Sequence, residues 1–556
     1  MQQQRIEPVQ RQRIVLLQAG SGVLARKPSH ELPMATSQEK LVASLEELRQ
    51  LQSDGSRVFA SDQLSRTARE RLSENGFLQE VFKGWFVSAD PSARAGDTTP
   101  WFSSFWEFLR RYCEQRFGED WFLSPEESLL LHAEKTAVPK QVIVSSPGAN
   151  NKRVALAHGT SLFAFKKEMP AQSDLILRDG LRLYSAESAL VRVTEEFFRR
   201  NPIEAQVALL GIVEPSGLLA RLLDGGHTTI AGRLAGAFRR MDRVAVADEI
   251  VGAMKSAGHS VRESDPFDEG VARAPDIRAV SPFVGRLTTL WESSRQVVLD
   301  ELGAMPSKRS GAKSQLAAID EVYKLDAYHS LSIEGYVVTS DLIERVASGA
   351  WDSENVRADD ELKDALAARG YWLAFQGVRS VIAELLQDTA QLEVLRTAHR
   401  EWYRNLFAPH VSAGLIKASM LAGYRTQAVF MRGSRHIPPR AEVLRVAMPA
   451  LFDLIEAEPS AVVRAVLGHW LFGYVHPFPD GNGRIARFLM NALLVDAGYS
   501  WTVIRVEDRS EYLAALEAAS VNTDIRPFAR FVARQMRQVR KRVGGSKRPK
   551  RRKSRS

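Results

Sequence analysis

The sequence predicts an α+β protein of several domains, in which small strand-containing units precede a mainly α-helical one. The chain has 556 residues, which corresponds to roughly three to five domains of ordinary size. Strand-like runs bounded by turn residues are concentrated before residue 262, whereas apolar residues at helical spacing dominate 284–540. The stretch between them is polar and contains proline, so we expect a linker over 263–283.

Residues 1–35 are expected to form a disordered extension, because they are rich in Gln and Arg and have no apolar periodicity. Helical periodicity begins at Met34, in MATSQEKL, which makes Met34 an alternative to Met1 as the start of the protein.

Residues 36–90 have an order of elements that is typical of a winged helix. TSQEKLVASLEELRQL and SDQLSRTARERLSENG each begin with capping residues, and FLQEVFKGWFV predicts a hairpin that turns at Lys83 and Gly84. Arg66, Arg69 and Arg71 lie on the helix that would enter a DNA groove, so we expect them to contact DNA. A solvated helix face is the alternative.

Residues 91–262 predict a mixed α/β domain. WFSSFWEFLRRYCEQRFGEDWFL is aromatic and helical, and KQVIVSSPGANNKRVALAHGTSLFAF predicts strands joined by a Pro-Gly-Asn-Asn turn. Amphipathic helices are expected over 185–260. The remaining 284–540 are mostly helical, except near 424–439, where a strand-like run, a Gly-Ser turn and a double proline interrupt the pattern.

The net charge of +9 comes from one end of the chain. Residues 541–556 contain nine Lys or Arg and no acid, so the other 540 residues are formally neutral. We expect a disordered basic tail, which either keeps the protein soluble or attracts nucleic acid. The single cysteine, Cys113, excludes an intramolecular disulfide framework, no apolar run reaches the ~18 residues of a membrane span, and residues 1–35 lack a signal peptide. These features indicate a cytoplasmic protein with no membrane partner.

The most informative stretch is HPFPDGNGRIAR, at 476–487, between two apolar helical segments. A Gly-containing turn that enters a helix N-terminus binds anions such as phosphate. Arg484 and Arg487 share one helix face and can hold further phosphates. His476 can take a proton from a hydroxyl group, and Asp480 can hold a magnesium ion. Phe478 is expected to anchor the loop in the core.

This stretch matches the Fic motif, His-x-Phe-x-Asp/Glu-Gly-Asn-Gly-Arg-x-x-Arg, at every specified position, and flanking segments over about 280–540 also resemble Fic proteins. The resemblance implies transfer of AMP from ATP to a hydroxyl side chain of a target protein. By similarity His476 is the general base and Asp480 the Mg²⁺ ligand, while Arg487 binds the γ-phosphate. The same similarity assigns the phosphate cradle to Gly481, Asn482, Gly483 and Arg484.

The resemblance also implies a β-hairpin flap that docks the target backbone by strand addition. The flap tip comprises Gly433, Ser434, Arg435 and His436. Tyr512 is expected to line the adenine side. Many relatives have Asn eight residues after this Tyr, where this chain has Ser520, so the adenine contact is in doubt. A homodimer is left open.

HSLSIEGY, at 329–336, contains Ser330-x-x-x-Glu334-Gly335, which resembles the inhibitory-helix motif of Fic proteins. We expect this helix near 325–336, with the Glu334 carboxylate paired bidentately to Arg487 in place of the γ-phosphate. A helix N-terminus capped by Ser330 is the alternative reading of the same residues.

The first half resembles abortive-infection antitoxins that bind promoter DNA, through VFASDQLSRTARERLSENGFLQEVFKGWFV and TTIAGRLAGAFRRM. Two further functions therefore stay open. One is a transcriptional regulator or antitoxin whose Fic core senses a nucleotide with little catalysis, and the other is an enzyme that transfers a different phosphate-linked group.

Overall fold

The computed structural model describes residues 36–92, 96–268, 270–272, 281–303, 311–350, 359–387 and 391–545. These residues form a mostly helical protein with three small sheets, which confirms the α+β composition. None of the described helices combines the length and the apolar character needed to cross a membrane. The predicted extension 1–35 lies outside the described residues.

The first half contains all nine described strands and ten helices. The strands are β1 Val58–Ala60, β2 Leu78–Phe82, β3 Trp85–Ser88, β4 Phe122–Leu123, β5 Gln141–Ser146, β6 Lys152–Ala155, β7 Ser161–Lys166, β8 Leu175–Arg178 and β9 Leu181–Tyr184. The helices are α1 Ser37–Leu51, α2 Arg66–Glu74, α3 Thr99–Phe117, α4 Pro125–His132, α5 Ala186–Leu190, α6 Glu195–Arg200, α7 Pro202–Leu210, α8 Ser216–Asp224, α9 Thr228–Arg240 and α10 Val244–Ser256.

The second half contains helices and loops and no strand in its described part. Its helices are α11 Pro282–Leu302, α12 Ala312–Ile333, α13 Ser340–Ser348, α14 Asp359–Leu386, α15 Leu395–Ser412, α16 Leu444–Ala457, α17 Ala461–Val475, α18 Asn482–Asp496, α19 Arg509–Asn522 and α20 Arg526–Gly545. Their buried side chains form one continuous apolar core, and its centre is the apolar pair α17 and α18.

Residues 36–90 contain two helices and a sheet of order β1-β3-β2. β2 and β3 form the predicted antiparallel hairpin, and Gly84 turns it with φ of +76°. The sequence pattern missed β1, because three consecutive buried residues carry no alternation. A single helix, α2, lies between β1 and β2 in the chain. This order of elements does not establish a winged helix, which therefore stays a prediction.

The mixed sheet of the first half has the order β4-β5-β7-β6, with β5 and β7 parallel. The predicted turn, Pro-Gly-Ala-Asn-Asn at 147–151, does join two strands, but β5 and β6 do not pair with each other, because β7 lies between them. The aromatic helix α3 packs beneath both sheets. Part of the predicted linker 263–283 is packed as well, since Phe267 is buried beside Phe198.

Three expectations for the second half need correction. The predicted inhibitory helix near 325–336 is the end of the longer α12, which begins at Ala312 and ends at Ile333. α20 continues to Gly545, so residues 541–545 of the predicted disordered tail 541–556 are helical. The residues at 541–543 are Lys, Arg and Val, which are compatible with a helix, and the helix ends at the two glycines that follow. Residues 546–556 lie outside the described part. The flap near 424–439 contains no strand, because its main-chain groups bond to side chains and loops instead of a second strand.

The two halves share a buried interface. α7 packs against α11, and Ile203 and Val207 of α7 belong to the core of the second half. Arg286 of α11 is fully buried and donates from Nη1 to Glu204 of α7 at 3.1 Å and from Nε to the Tyr474 hydroxyl at 2.8 Å. An ion pair that is this well buried is costly to break, so it fastens the first half to α17.

Candidate active site

The motif 476–487 forms the turn between α17 and α18. His476 ends α17 in the left-handed conformation, with φ of 52°, and Gly481 begins α18 with φ of 77°. Phe478 is completely buried, as expected, and its ring stacks on Tyr403 at 4.1 Å between centroids. An aromatic side chain therefore anchors the turn in the core.

The Asn482 side chain closes the turn. Its Oδ1 accepts from the Phe478 N–H at 2.9 Å, and its Nδ2 donates to the Phe478 carbonyl at 2.8 Å. Both polar groups of this side chain are therefore engaged in the fold. Asn482 can contribute only its main chain to the expected phosphate cradle.

The His476 ring is held in one tautomer. Nδ1 lies 3.2 Å from the carbonyl oxygen of Gly473, which can only accept a hydrogen bond, so Nδ1 carries the proton. Burial lowers the pKa of His476 to about 4. The imidazole is therefore neutral at physiological pH, and Nε2 has a lone pair that can accept a proton.

Arg484 is a buried cation with unused donors. Its side chain is 1% exposed, and its guanidinium lies over the rings of Tyr336 and Phe407. Nη2 lies 3.3 Å from Asp480, whereas Nε and Nη1 have no hydrogen-bond partner among the described residues. Unpaired buried donors are costly, so this arrangement fits an anionic ligand at the N-terminus of α18.

Arg487 is engaged by α12. Its Nε donates to the Ser330 hydroxyl at 2.9 Å, and its Nη2 donates to Glu334 at 2.6 Å. The expected bidentate pair with Glu334 is wrong, because Ser330 takes the other edge of the guanidinium. Ser330 lies in the last turn of α12, so it is not the cap of a helix N-terminus.

Glu334 reaches into the glycine turn. A Cβ added to Gly483 would lie 2.8 Å from Glu334 Oε1 and 3.3 Å from Arg487 Nη1. A Cβ at Gly481 would lie 2.9 Å from the ring of Phe407. Gly481 is therefore required by its positive φ and by the Phe407 ring, whereas Gly483 faces the ends of two flexible side chains, and the Glu334 carboxylate rests against the turn expected to bind phosphates.

Asp480 fits the expected Mg²⁺ site as a single ligand. Its side chain is 62% exposed, with Oδ1 bonded to the Gly481 N–H and Oδ2 near Arg484. The described residues contain no group of three or more His, Cys, Asp or Glu placed to share a metal. A nucleotide-bound Mg²⁺ commonly needs only one or two protein carboxylates, with phosphates and water as the other ligands.

The flap residues are held on both sides. Glu517 of α19 accepts from the Ser434 hydroxyl and from the Arg435 N–H, the latter at 2.9 Å. His436 is buried, and its Nε2 lies 2.8 Å from the Tyr474 carbonyl. Gly433 makes the turn before them with φ of 73°. The tip is thus fixed without hairpin pairing.

Sequence analysis missed Arg425, which joins the flap to the catalytic turn. Its Nε donates to the His476 carbonyl at 2.8 Å, its Nη1 to Gln427 at 3.1 Å and its Nη2 to Pro439. Its N–H donates to Pro477 at 2.9 Å. The only signal was an isolated Arg in the YRTQAVF run, and isolated arginines are usually solvated.

The adenine-side residues lie in the core. Tyr512 is 2% exposed, and its hydroxyl lies 2.8 Å from His469 Nε2. Ser520 accepts from Trp470 Nε1 at 3.1 Å. The role expected of Tyr512 stays a prediction.

The three arginines expected to contact DNA all lie on α2, but they are not equally accessible. Arg71 donates to Ser44 at 2.8 Å and Arg69 to the Ser61 carbonyl, whereas Arg66 is exposed and pairs with Glu70. Two of the three are therefore committed to contacts within the fold.

Comparison with known proteins identifies the region around this site. Residues 390–494 match the Fic/DOC family. A protein named Protein adenylyltransferase Fic from Nematostella vectensis is 32% identical over 237 residues, which is 42% of this chain and 49% of that protein. One of the same name from Drosophila willistoni is 31% identical over 249 residues, or 44% and 46%. The chain spans about half the length of the curated relatives it matches. The solved Fic-1 from C. elegans is 19% identical, covers 62% of this chain and 98% of its own, and has a TM-score of 0.35.

Proposed function

We propose that this chain, which contains a Fic/DOC-family domain at residues 390–494, is an autoinhibited protein adenylyltransferase that transfers AMP from ATP to a hydroxyl side chain of a target protein. The observation that carries this proposal is the buried guanidinium of Arg484, in which two nitrogens have no hydrogen-bond partner among the described residues, beside a glycine turn at a helix N-terminus. Such a site favours a polyphosphate. Two relatives named protein adenylyltransferases support the same activity.

In the proposed reaction the target hydroxyl oxygen forms a bond to the α-phosphorus of ATP. The bond from that phosphorus to the bridging oxygen of the β-phosphate breaks, and pyrophosphate leaves. His476 Nε2 takes the hydroxyl proton, which its neutral tautomer allows. The main chain at Gly481, Asn482 and Gly483 binds phosphate oxygens together with Arg484, while Arg487 binds the γ-phosphate.

Mg²⁺ held by Asp480 and the phosphates would neutralise charge on the phosphate oxygens and on the leaving pyrophosphate. The exposure of Asp480 supports this role, because the carboxylate can rotate away from Arg484 without breaking a buried contact.

Autoinhibition is proposed from the position of Glu334. Its carboxylate holds Arg487 and rests against Gly483, so it competes with a γ-phosphate for the same guanidinium and the same turn. Ser330 strengthens the competition by taking Nε of that arginine. ATP must therefore displace two partners before it can bind in a productive position.

DNA association through α2 is a weaker proposal. Arg66 is exposed and pairs only with the exposed Glu70 among the described residues, so it can face a phosphate backbone, but the internal contacts of Arg69 and Arg71 favour a helix with a packing role. Binding of promoter DNA by the full chain, with an affinity that falls as salt rises, is the measurement for this proposal. Location in the cytoplasm and a homodimer stay predictions.

The proposed reaction is tested with ATP labelled at either the α- or the γ-phosphate, in the presence of Mg²⁺ and Glu334→Gly protein. Adenylyl transfer places the α label on protein and leaves the γ label in pyrophosphate. Protein that gains only the γ label would be a kinase product and would contradict the proposal. Protein that gains neither label would favour the nucleotide-sensing regulator.

A further inference from the structure

The edge of the flap that would receive a target is already occupied by the first half of this chain. The Val138 N–H donates to the Arg435 carbonyl oxygen at 2.9 Å. Arg435 returns the contact, since its Nε donates to the Val138 carbonyl oxygen at 2.9 Å and its Nη2 donates to the same oxygen. One flap residue therefore binds both main-chain groups of Val138, through its own carbonyl oxygen and its guanidinium.

The occupying segment, residues 136–140, is suited to this role. It is non-helical and lies between α4 and β5, with Pro139 and a lysine at its end. Pro139 has no N–H and favours an extended backbone at Val138, the residue before it. The segment can therefore donate from the Val138 N–H but does not continue a sheet. The segment does not reach the catalytic turn through any hydrogen bond found among the described residues.

Further contacts from the first half follow the flap on both sides of Arg435. The guanidinium of Arg57 lies over the Phe430 ring at 4.9 Å, and Asp97 lies 3.5 Å from Arg432. Asp179 pairs with Arg440 at the other end. The side chain of Ile437 packs against the aromatic core beneath α3. The first half thus covers the flap from 430 to 440.

The first half can separate from the flap at this surface. Two cavities, of about 330 and 370 Å³, flank the segment between the two halves, and Lys135 lines both. The pairs at Arg432 and Arg440 are the ionic contacts of this cover, and the two arginine side chains are 65% and 57% accessible, so water can replace their partners when the cover opens. The buried pair of Arg286 and Glu204 lies elsewhere and keeps the first half attached.

We propose that residues 136–140 are an intramolecular stand-in for the target backbone, so that a protein substrate must displace them before it docks on the flap. The inference rests on the proposed adenylyl transfer, because it assumes that the flap receives a polypeptide. It adds a control on target entry that is separate from the control of ATP by Glu334. The partner that fits this surface is an extended polypeptide with free main-chain groups.

The cover is tested without any activity by amide hydrogen exchange on the full chain. Asp97→Asn with Asp179→Asn removes two ionic contacts from the first half and leaves the flap sequence intact. We expect exchange at Val138 and over 430–438 to rise at least about fivefold. Asp62→Asn with Asp120→Asn makes the same change of charge at exposed sites away from the flap and should change nothing. Unaltered exchange in the first variant would overturn the proposal.

The block is tested by locking the cover. Val138→Cys with Arg435→Cys, in the Glu334→Gly chain, joins adjacent backbones by a disulfide, while Cys113 is fully buried and does not compete. The probe is casein, an unfolded protein with many hydroxyl groups, together with α-labelled ATP. Oxidation should lower transfer to casein at least about tenfold relative to the same protein after reduction, with ATP binding unchanged.

Equal transfer by the oxidised and reduced forms would contradict the block. If the parent Glu334→Gly chain labels neither casein nor itself, the proposed function fails, and the exchange experiment alone then decides whether the first half covers the flap.

Discussion

Arg425 donates from Nε to the carbonyl oxygen of His476 at 2.8 Å, and so ties the base of the flap to the proposed general base. Its side chain is buried, and the described residues place no carboxylate within salt-bridge distance of it. Main-chain carbonyls at both ends of the flap and in the catalytic turn satisfy the guanidinium instead. Burial lowers the pKa of Arg425 to about 10, as expected for a cation held by dipoles alone.

Arg425→Met should loosen the flap and the catalytic turn together. The change removes donors from several buried carbonyls, so we expect a loss of about 3 kcal/mol in the free energy of unfolding. The transfer rate should fall at least about tenfold. KM for ATP should change little, because Arg425 makes no hydrogen bond to the phosphate-binding residues Gly481, Asn482 and Gly483. Arg404→Met, at an exposed site with one long hydrogen bond, is the control. A normal rate in a stably folded Arg425→Met protein would contradict the positioning role.

Ser330→Ala should weaken autoinhibition without removing Glu334. Arg487 would lose the partner of its Nε, so Glu334 alone would compete with ATP. We expect ATP to bind about ten- to a hundredfold more tightly, as judged by calorimetry, which matches the loss of one charge-assisted hydrogen bond of about 1.5–3 kcal/mol. Ser332→Ala alters the same turn of α12 without touching Arg487. Equal affinities in the two variants would argue that Ser330 has no part in inhibition.

Gly483→Ala tests the space around the phosphate turn. Its Cβ would lie 2.8 Å from the Glu334 carboxylate and 3.3 Å from the Arg487 guanidinium, so the ends of both side chains must shift and a methyl group enters the turn expected to bind phosphates. We expect ATP binding and transfer to be lost. Gly473→Ala is the matched control, since its Cβ would meet nothing within 4 Å, and this protein should keep its activity. Retained ATP binding by Gly483→Ala would place the phosphates elsewhere.

Stability should fall in mild acid, because four histidines are kept neutral by the fold. Burial lowers the pKa of His399 and His476 to about 4, and that of His436 and His469 to about 3, from an unfolded value near 6.5. The stabilisation is fully present above pH 6.5 and is lost as the pH falls towards these folded values.

Thermal unfolding between about pH 8 and pH 4 measures this loss. His399→Gln should flatten the slope by up to ~1.4 kcal/mol per pH unit, the contribution of one proton. An unchanged slope would mean that His399 is not held neutral by the fold.

The sequence predicted the local conformation of the turn at 476–481 well, because its residues are contiguous and each has a local reason to be there. Phe478 anchors it, Gly481 adopts a positive φ, and Gly483 leaves room for a carboxylate. Arg425 and Glu517 could not be found in this way, since their partners lie far along the chain and neither has a local signature.

The flap shows how tertiary contacts override a local pattern. The apolar run AVFMR is strand-like, yet it contains no strand, and the neighbouring tip is bonded to Glu517 and Val138 instead of to a second strand. The sequence predicts a helix at Ser330, and α12 contains that residue. The beginning of α12 at Ala312 was not predicted. The contacts of Arg487 with both Ser330 and Glu334 depend on side-chain geometry, which the spacing of residues in the sequence does not show.

The most direct test of adenylyl transfer by His476 is the intact mass of Glu334→Gly protein after incubation with ATP and Mg²⁺, beside Glu334→Gly with His476→Ala and beside the unmodified chain. We predict a gain of one or more AMP units by Glu334→Gly, much less by the unmodified chain, and none when His476 is absent. AMP on the His476→Ala protein at the same rate, or on none of the three proteins, would contradict the account.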